Sequence, residues 1–340
     1  MKFAWNEIDL HMKETYDLFI CSASFEERCL SFVRSCPVNR LNNALILQNK
    51  EYNSYVAKNL AIMKEILSTK QIHYDEAVLS HKDPISFVDT IMNKLNEAKA
   101  EKRFDRVLVD ITTFTHEMVL IMLRMLHVLH PNLNVSFTYA NAGDYDPQSI
   151  ENITNISSKW LSKGISEIRS VIGYPGNPQP MNRNHLVIVV GYEYDRALSI
   201  ISELEPSSLS LAFGKSDSQT SEHKSFDKHY GAKEHFKELT SSALASFPEG
   251  MLHTFEISCD NPQKTKEEIK SHLHSIGVEK ERTNVTIFAL NNKPSTLGVG
   301  LFGIENEYVQ LCYAPALIYN YANYSTPGSY CYLFDLNTDE

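Results

Sequence analysis

Arginine, carboxylate and hydroxyl side chains recur in this chain where apolar runs end. Phe25-Glu26-Glu27-Arg28-Cys29-Leu30-Ser31 follows Leu18-Phe19-Ile20-Cys21, and Glu193-Tyr194-Asp195-Arg196-Ala197-Leu198-Ser199 follows Leu186-Val187-Ile188-Val189-Val190. Arg28 and Arg196 stand about half a chain length apart. A guanidinium presents paired donors that match a phosphate or a carboxylate. Glu27, Glu193 and Asp195 beside it suit acid or base work, or answer the positive end of a helix. Three uses fit the repeated arginine: a phosphate clamp, an ion pair between the two halves of the chain, or a solvated surface.

Two further clusters lie where an apolar run turns into a helical pattern. Asp110-Ile111-Thr112-Thr113-Phe114-Thr115-His116 leaves Arg106-Val107-Leu108-Val109. Thr113 or Thr115 can cap the helix while free amides and hydroxyls face an anion; the plainer reading is a cap with Asp110 ordering the turn. The corresponding segment of the second half is Asn291-Asn292-Lys293-Pro294-Ser295-Thr296. Lys293 brings charge, Pro294 suits a first helical turn, and Ser295 and Thr296 bring hydroxyls. This is no Walker loop, because the glycines (Gly298, Gly300, Gly303) follow the lysine; their spacing predicts a helix packed closely on a sheet.

The Asp110, Thr112 and Thr115 pattern, with Ser22 and Ser24 at the first turn, resembles the CRISPR-associated Rossmann fold (CARF) sensor domains, whose corresponding turn is of the Asp-x-Thr/Ser-Gly-Gly-x-Lys type. Thr113 and Phe114 stand at the glycine positions and His116 at that of a basic residue. The resemblance implies two Rossmann-like units sharing a composite pocket for a nucleotide signal, in bacterial antiviral defence.

Strand patterns run over 17–22, 44–48, 72–78, 106–112 and 134–140, alternating with helical patterns over 26–35, 54–67, 84–98 and 114–129. The second half repeats the alternation, with strands over 185–191, 209–214, 252–258, 284–290 and 308–314 and helices over 193–204, 233–245, 262–276 and 294–304. Alternation with short connections predicts parallel sheets. Phe137-Thr138-Tyr139-Ala140 and Leu311-Cys312-Tyr313-Ala314 echo each other at nearly the offset of the arginines. The fold expected is therefore α/β, with two tandem Rossmann-like units related by internal duplication: 1–142, a linker with a helix around 157–172 over 143–184, 185–315, and a tyrosine-rich extension over 316–340. The linker carries Gly173-Tyr174-Pro175-Gly176-Asn177-Pro178-Gln179-Pro180, which breaks helices and central strands. The extension is expected to add an edge strand or close over the cleft, and residues 215–231 read as a polar loop.

Composition limits the partners. A formal charge of −10 disfavours general binding to a nucleic-acid backbone. No apolar run approaches the roughly 18 residues of a membrane span, and the amino terminus lacks a signal-peptide core. Six cysteines without a C-x-x-C pair indicate a reducing, cytoplasmic setting and no structural zinc. His223, Asp227, His229 and His235 match no usual zinc spacing. Cys21, inside a strand, reads as a buried thiol rather than a nucleophile for His116. Tyr313, Tyr319, Tyr321 and Tyr324 suit base stacking, a lid or a subunit contact.

The expected function is a sensor for a nucleotide-like or phosphorylated ligand, held in a cleft between the halves. The residues expected to line that cleft are Ser22, Ser24, Glu27, Arg28, Asp110, Thr112, Thr113, Thr115, His116, Glu193, Asp195, Arg196, Asn292, Lys293, Ser295 and Thr296. No resident cofactor or metal is expected; a protein effector or a second copy of the chain would receive the signal. Two alternatives stand beside it: an enzyme hydrolysing or transferring a nucleotide or its sugar with the acids of that cleft, and a non-catalytic subunit of a larger assembly.

Overall fold

The structure, a computed structural model, describes residues 1–101, 105–145, 161–191, 194–216, 237, 239–243, 245–321 and 324–335. The chain folds into two compact units. Unit 1 comprises Met1–Met118, Met125–Pro147 and Tyr321–Glu340, and unit 2 comprises Val119–Arg124 and Gln148–Asn320.

Unit 1 is built on a seven-stranded sheet. β1 (Lys2–Ala4) is followed by β2 (Tyr16–Ser22), β3 (Leu41–Asn49), β4 (His73–Leu79), β5 (Arg106–Asp110), β6 (Asn134–Tyr145) and, from the far end of the chain, β15 (Ser325–Asp335), in the order β1-β15-β6-β5-β2-β3-β4. Strands β6, β5, β2, β3 and β4 are mutually parallel. Val107, Leu108 and Val109 of β5 are completely buried, as a strand flanked on both sides requires. A 3-10 turn (Glu27–Leu30) and α2 (Ser31–Ser35) follow β2, α3 (Asn53–Thr69) follows β3, α4 (Pro84–Glu101) follows β4, and α5 (His116–Leu129) follows β5. A short helix α1 (Ile8–His11) lies between β1 and β2. The carboxy-terminal strand is not the outermost one: β15 pairs antiparallel with β6 on one side and β1 on the other. Residues 2–4, too short for a periodic signal, cover the edge that β15 would otherwise expose.

Unit 2 has a six-stranded sheet formed by β8 (Arg169–Pro175), β9 (Arg183–Val190), β10 (Ser208–Lys215), β11 (Leu252–Ser258), β12 (Thr283–Ala289) and β13 (Gln310–Tyr313), ordered β11-β10-β9-β12-β13-β8. All neighbours are parallel except β8, which runs antiparallel to β13. Its helices include α6 (Tyr194–Leu204), α7 (Pro262–Ser275) and α8 (Lys293–Glu305). Leu186, Ile188, Ala197, Ile200, Leu209, Leu211 and Phe288 share its core. Numbered along the chain within each unit, the five parallel strands have one order, 3-2-1-4-5, that of a doubly wound sheet. In both, an antiparallel strand lies beside strand 5.

The expected linker is mostly strand where it is described. Residues 157–160 of its helix lie outside the described residues, and the rest holds β7 (Ser162–Ile165), paired with β14 (Ala316–Tyr319), and β8. Ile165 and Ile168 both pack against the unit 2 core, and Gly164, inside the expected helix, takes a φ of 65° that a right-handed helix forbids. Of the polar loop, Lys215 closes β10 and Ser216 donates to Asp260 Oδ2 at 2.5 Å; residues 217–231 lie outside the described residues, as do His223, Asp227, His229 and His235. Residues 237 and 239–243 are helical. Gly303 packs α8 closely on the sheet as expected, since a Cβ there would lie 2.9 Å from Tyr174 of β8 and 3.0 Å from Leu311 of β13. Gly298 permits helix-on-helix contact: a Cβ there would lie 2.5 Å from Thr265 Cβ and 2.6 Å from the Pro262 carbonyl, both in α7.

The amino-terminal edge of the unit 2 sheet holds a histidine and serine relay. His185 Nδ1 lies 2.7 Å from Ser208 Oγ, His185 Nε2 lies 3.0 Å from Ser210 Oγ, and Ser210 Oγ lies 2.8 Å from His272 Nε2. Phe255 stacks on His272 at 3.8 Å. Burial, then the neighbouring histidines, brings His185 down to about 4, and burial does the same to His272. A histidine pKa lower in the folded than in the unfolded chain means that stability is full above about pH 6.5 and lost as pH falls towards 4. The unfolding free energy of unit 2 is therefore expected to fall by about 3 kcal/mol over that window on account of His185, with less from the partly exposed His272. Urea titrations at pH 7 and pH 4.5 check this; equal contributions of His185 at the two pH values, judged against His185→Gln, would contradict it.

Candidate functional site

In a 3-2-1-4-5 sheet, strands 1 and 4 are neighbours whose chains leave in opposite directions, so their carboxyl ends open a crevice where ligands bind. In unit 1 these strands are β2 and β5. The turn after β2 begins at Ser22 and the turn after β5 begins at Asp110, and Thr113 joins them by donating its hydroxyl to the Ser22 carbonyl at 3.0 Å. Ser24 Oγ accepts from the Glu26 amide at 3.2 Å, and Asn59 of α3 donates to the Ser24 carbonyl at 2.9 Å and the Phe25 carbonyl at 3.2 Å. Thr115 is the cap of α5, accepting from the Met118 amide at 3.1 Å. His116 is the first residue of that helix and half-buried. Ser22, Ser24, Asp110, Thr112, Thr113, Thr115 and His116 are thus on two adjoining turns, as their sequence positions predict.

Asp110 is 2% exposed. Its Oδ1 accepts from the Thr112 amide at 3.0 Å and from the Thr112 hydroxyl, whose oxygen accepts in turn from the Ala140 amide at 2.9 Å. Burial raises its carboxyl to about 6, against the Thr112 donors and the Arg28 charge, which pull it down. A carboxyl near 6 is poised to exchange a proton at physiological pH. Cys21 is buried below the turns, and burial pushes its thiol well above the usual value, so it is no nucleophile.

The repeated arginines have partners inside their own units. Arg28, 4% exposed, donates to Glu26 Oε2 at 2.6 Å from Nη2 and 3.1 Å from Nε, to Ser325 Oγ at 2.8 Å and to the Ala140 carbonyl at 3.1 Å. Arg196 donates from Nη2 to the Ala314 carbonyl at 2.5 Å. Each guanidinium therefore reaches from the helical turn after strand 1 to a backbone carbonyl on the strand 5 segment, inside β6 for Arg28 and one residue past β13 for Arg196. Ala140 and Ala314 are the ends of the two echoing segments, so the recurrence is first of all a repeated structural tie. Glu27 lies apart from the crevice, paired on the surface with Arg34 at 2.8 Å.

In unit 2 the corresponding strands are β9 and β12. Asn292 caps α8, accepting from the Ser295 amide at 3.1 Å, and its Nδ2 donates to the Cys259 carbonyl at 2.8 Å. The hydroxyls of Ser295 and Thr296 both donate to the Asn292 carbonyl at 2.9 Å. Asn291 donates to the Val190 carbonyl at 2.7 Å, holding the two turns together. They approach so closely that a Cβ on Gly191 would sit 1.8 Å from the Leu290 carbonyl oxygen. Lys293 is the half-buried first residue of α8, Asp195 is exposed in the first turn of α6, and Glu193 lies outside the described residues.

Sequence reasoning passed over the turns after β3 and β4. Asn49 Oδ1 accepts from the Glu51 amide at 3.2 Å, capping a 3-10 turn (Lys50–Tyr52), and the Ser80 hydroxyl donates to the Glu51 carboxylate. His81 Nδ1 lies 3.3 Å from Glu51 Oε2, and its ring stacks on Tyr52. Ser80-His81 directly after the apolar Leu79, and Asn49 two residues before an acid, were the available signals. Among the described residues, no three histidine, cysteine or acidic side chains are grouped to hold a metal, and no helix is long and apolar enough to cross a membrane.

No protein-family model matches the chain, and a search of curated proteins finds none similar to it.

Proposed function

We propose that unit 1 binds a nucleotide-like or phosphorylated ligand at the carboxyl ends of β2 and β5, as a cytoplasmic sensor with a CARF-like role. The observation that carries the reading is Asp110: a carboxylate buried at the switch point, whose ionised form destabilises the fold, is kept where ligands of such sheets bind. The amides opening α5 and the hydroxyl of Thr115, whose oxygen accepts from the Met118 amide and leaves its proton to donate, suit the anionic part of the ligand, while Thr113 holds the two turns together. Ligand affinity that differs between two arrangements of the protein then shifts its population and signals to a protein partner or a second copy of the chain. The shared strand order, the antiparallel strand beside each strand 5 and the matched Arg28–Ala140 and Arg196–Ala314 bonds support descent of both units from one copied segment.

Thermal unfolding of the full chain with inorganic phosphate, mononucleotides, dinucleotides, cyclic oligonucleotides and NAD tests the reading. At a hundredfold excess over Kd, a true ligand adds about 2.7 kcal/mol. Thr113→Val, which unties the turns after β2 and β5, should erase most of that gain. No stabilisation by any member of the panel, or an undiminished gain in the variant, would refute it. One observation also favours an enzyme: a carboxyl near 6 suits proton transfer to or from a nucleotide. Turnover of the stabilising ligand, abolished in Asp110→Asn, would establish that reading instead.

A further inference from the structure

Beside the Ser24 turn, unit 1 carries a contiguous set of rings drawn from four separate segments. Tyr55, in the first turn of α3, stacks on Tyr321 at 4.4 Å and 15°. Tyr321 also meets Tyr52 at 5.4 Å and the edge of Phe25 at 5.1 Å, Phe25 meets Tyr324 at 5.7 Å, and Tyr52 lies parallel to His81 at 5.4 Å and 5°. The support is rigid: the Asn49 cap, the Ser80 to Glu51 bond and the His81 contact pin the Lys50–Tyr52 turn to the end of β4. Yet Tyr55 is 54% exposed although one face of its ring is occupied by Tyr321. Its other face is therefore open to solvent, at the carboxyl edge of the sheet, and Phe25 connects the set directly to Ser24.

Resting on the ligand-site reading above, we propose that this ring set is a base platform: the purine or pyrimidine of a nucleotide stacks on the open face of Tyr55, while the anionic end of the same ligand lies towards the Ser24 turn. A flat aromatic ring held in place by its neighbours offers stacking without losing side-chain freedom, and stacking accepts any base because every base has a π-face. The ligand class is then nucleobase-bearing phosphates, as opposed to sugar phosphates or inorganic phosphate.

Isothermal titration of the full chain with AMP, GMP, CMP, UMP and NAD, against ribose 5-phosphate as the comparator without a base, decides the matter. The nucleotides should bind more tightly than ribose 5-phosphate. Tyr55→Ala should weaken the tightest nucleotide by about 5- to 150-fold, from a stacking loss of about 1–3 kcal/mol, and leave ribose 5-phosphate unchanged; Tyr55→Trp should retain the affinity. Because Tyr55 is exposed, an unchanged melting temperature of the free variants shows that they fold. Ribose 5-phosphate binding as tightly as the nucleotides, or Tyr55→Ala binding both alike to the wild type, overturns the platform and leaves the anion site standing. Binding of none of these probes overturns the platform, and the ligand-site reading falls with it if the dinucleotides and cyclic oligonucleotides of the wider panel also fail to stabilise the chain.

Discussion

Arg28→Met is expected to lower the stability of unit 1 by about 3–5 kcal/mol, the usual cost of breaking a buried ion pair from one side. Methionine fills a similar volume, so the loss is electrostatic rather than a cavity. Glu26 is buried with Arg28 at 2.6 Å from its carboxylate, and the Ala140 carbonyl and Ser325 hydroxyl also lose a donor. The tie joins three distant segments: the turn after β2, the middle of β6 and the start of β15. Adding Glu26→Gln to Arg28→Met should restore a substantial part of the loss, since it removes the stranded charge. Urea unfolding of the single and double variants measures this. A single variant within about 1 kcal/mol of the wild type would show that the guanidinium does not hold these segments together.

Asp110→Asn should act in the opposite direction, stabilising unit 1 by about 1–3 kcal/mol at pH 8. The folded carboxyl, at about 6, lies above its ordinary 3.8. A raised carboxyl contributes its full stability below about pH 3.8, loses it as pH rises through 6, and above that leaves a buried charge that costs about 3 kcal/mol at most. Asparagine keeps an acceptor for the Thr112 amide and hydroxyl and carries no charge, so the gain grows as pH rises from about 3.8 and is complete above about pH 6. Its amide hydrogens need new partners, which sets the lower bound. His185 tilts the wild-type profile the other way between pH 4 and 6.5, so each effect is read as variant minus wild type. With two units the unfolding need not be one transition, and a probe within unit 1 is required. If Asp110→Asn is destabilising at pH 8, the charge is compensated and the case for a functional carboxylate weakens. If it stabilises and also abolishes the ligand response, stability is being given up for binding.

Several features were legible in the residue order because they are local. Continuous aliphatic runs such as Val107-Leu108-Val109 mark doubly covered strands, and alternation with amphipathic stretches marks parallel sheets. Thr115 was readable as a cap because a side-chain oxygen before a helical run can meet the nearby amides, whereas the Asn292 cap emerged only in the structure. The linker departs from the helix expected around 157–172: Ile165 and Ile168, three residues apart, both pack on the core, but from strand β7 and the segment after it. An apolar spacing reports burial, and two backbone shapes can satisfy it.

By itself, the amino-acid sequence determined that this is an α/β chain, which turns bear the hydroxyls and acids, and that an Arg-small-Leu-Ser turn recurs with a matching Tyr-Ala strand end. Only tertiary structure decided what those arginines do. Their partners, Ala140 and Ala314, lie 112 and 118 residues away along the chain, and the same guanidinium chemistry would have served a phosphate equally well. It also decided that β15 enters the first sheet next to β6, and that Tyr321 is laid against Tyr55. Strand order and ring contacts between distant segments depend on how whole surfaces pack and which backbone edges remain to be paired, and no short window of residues encodes either.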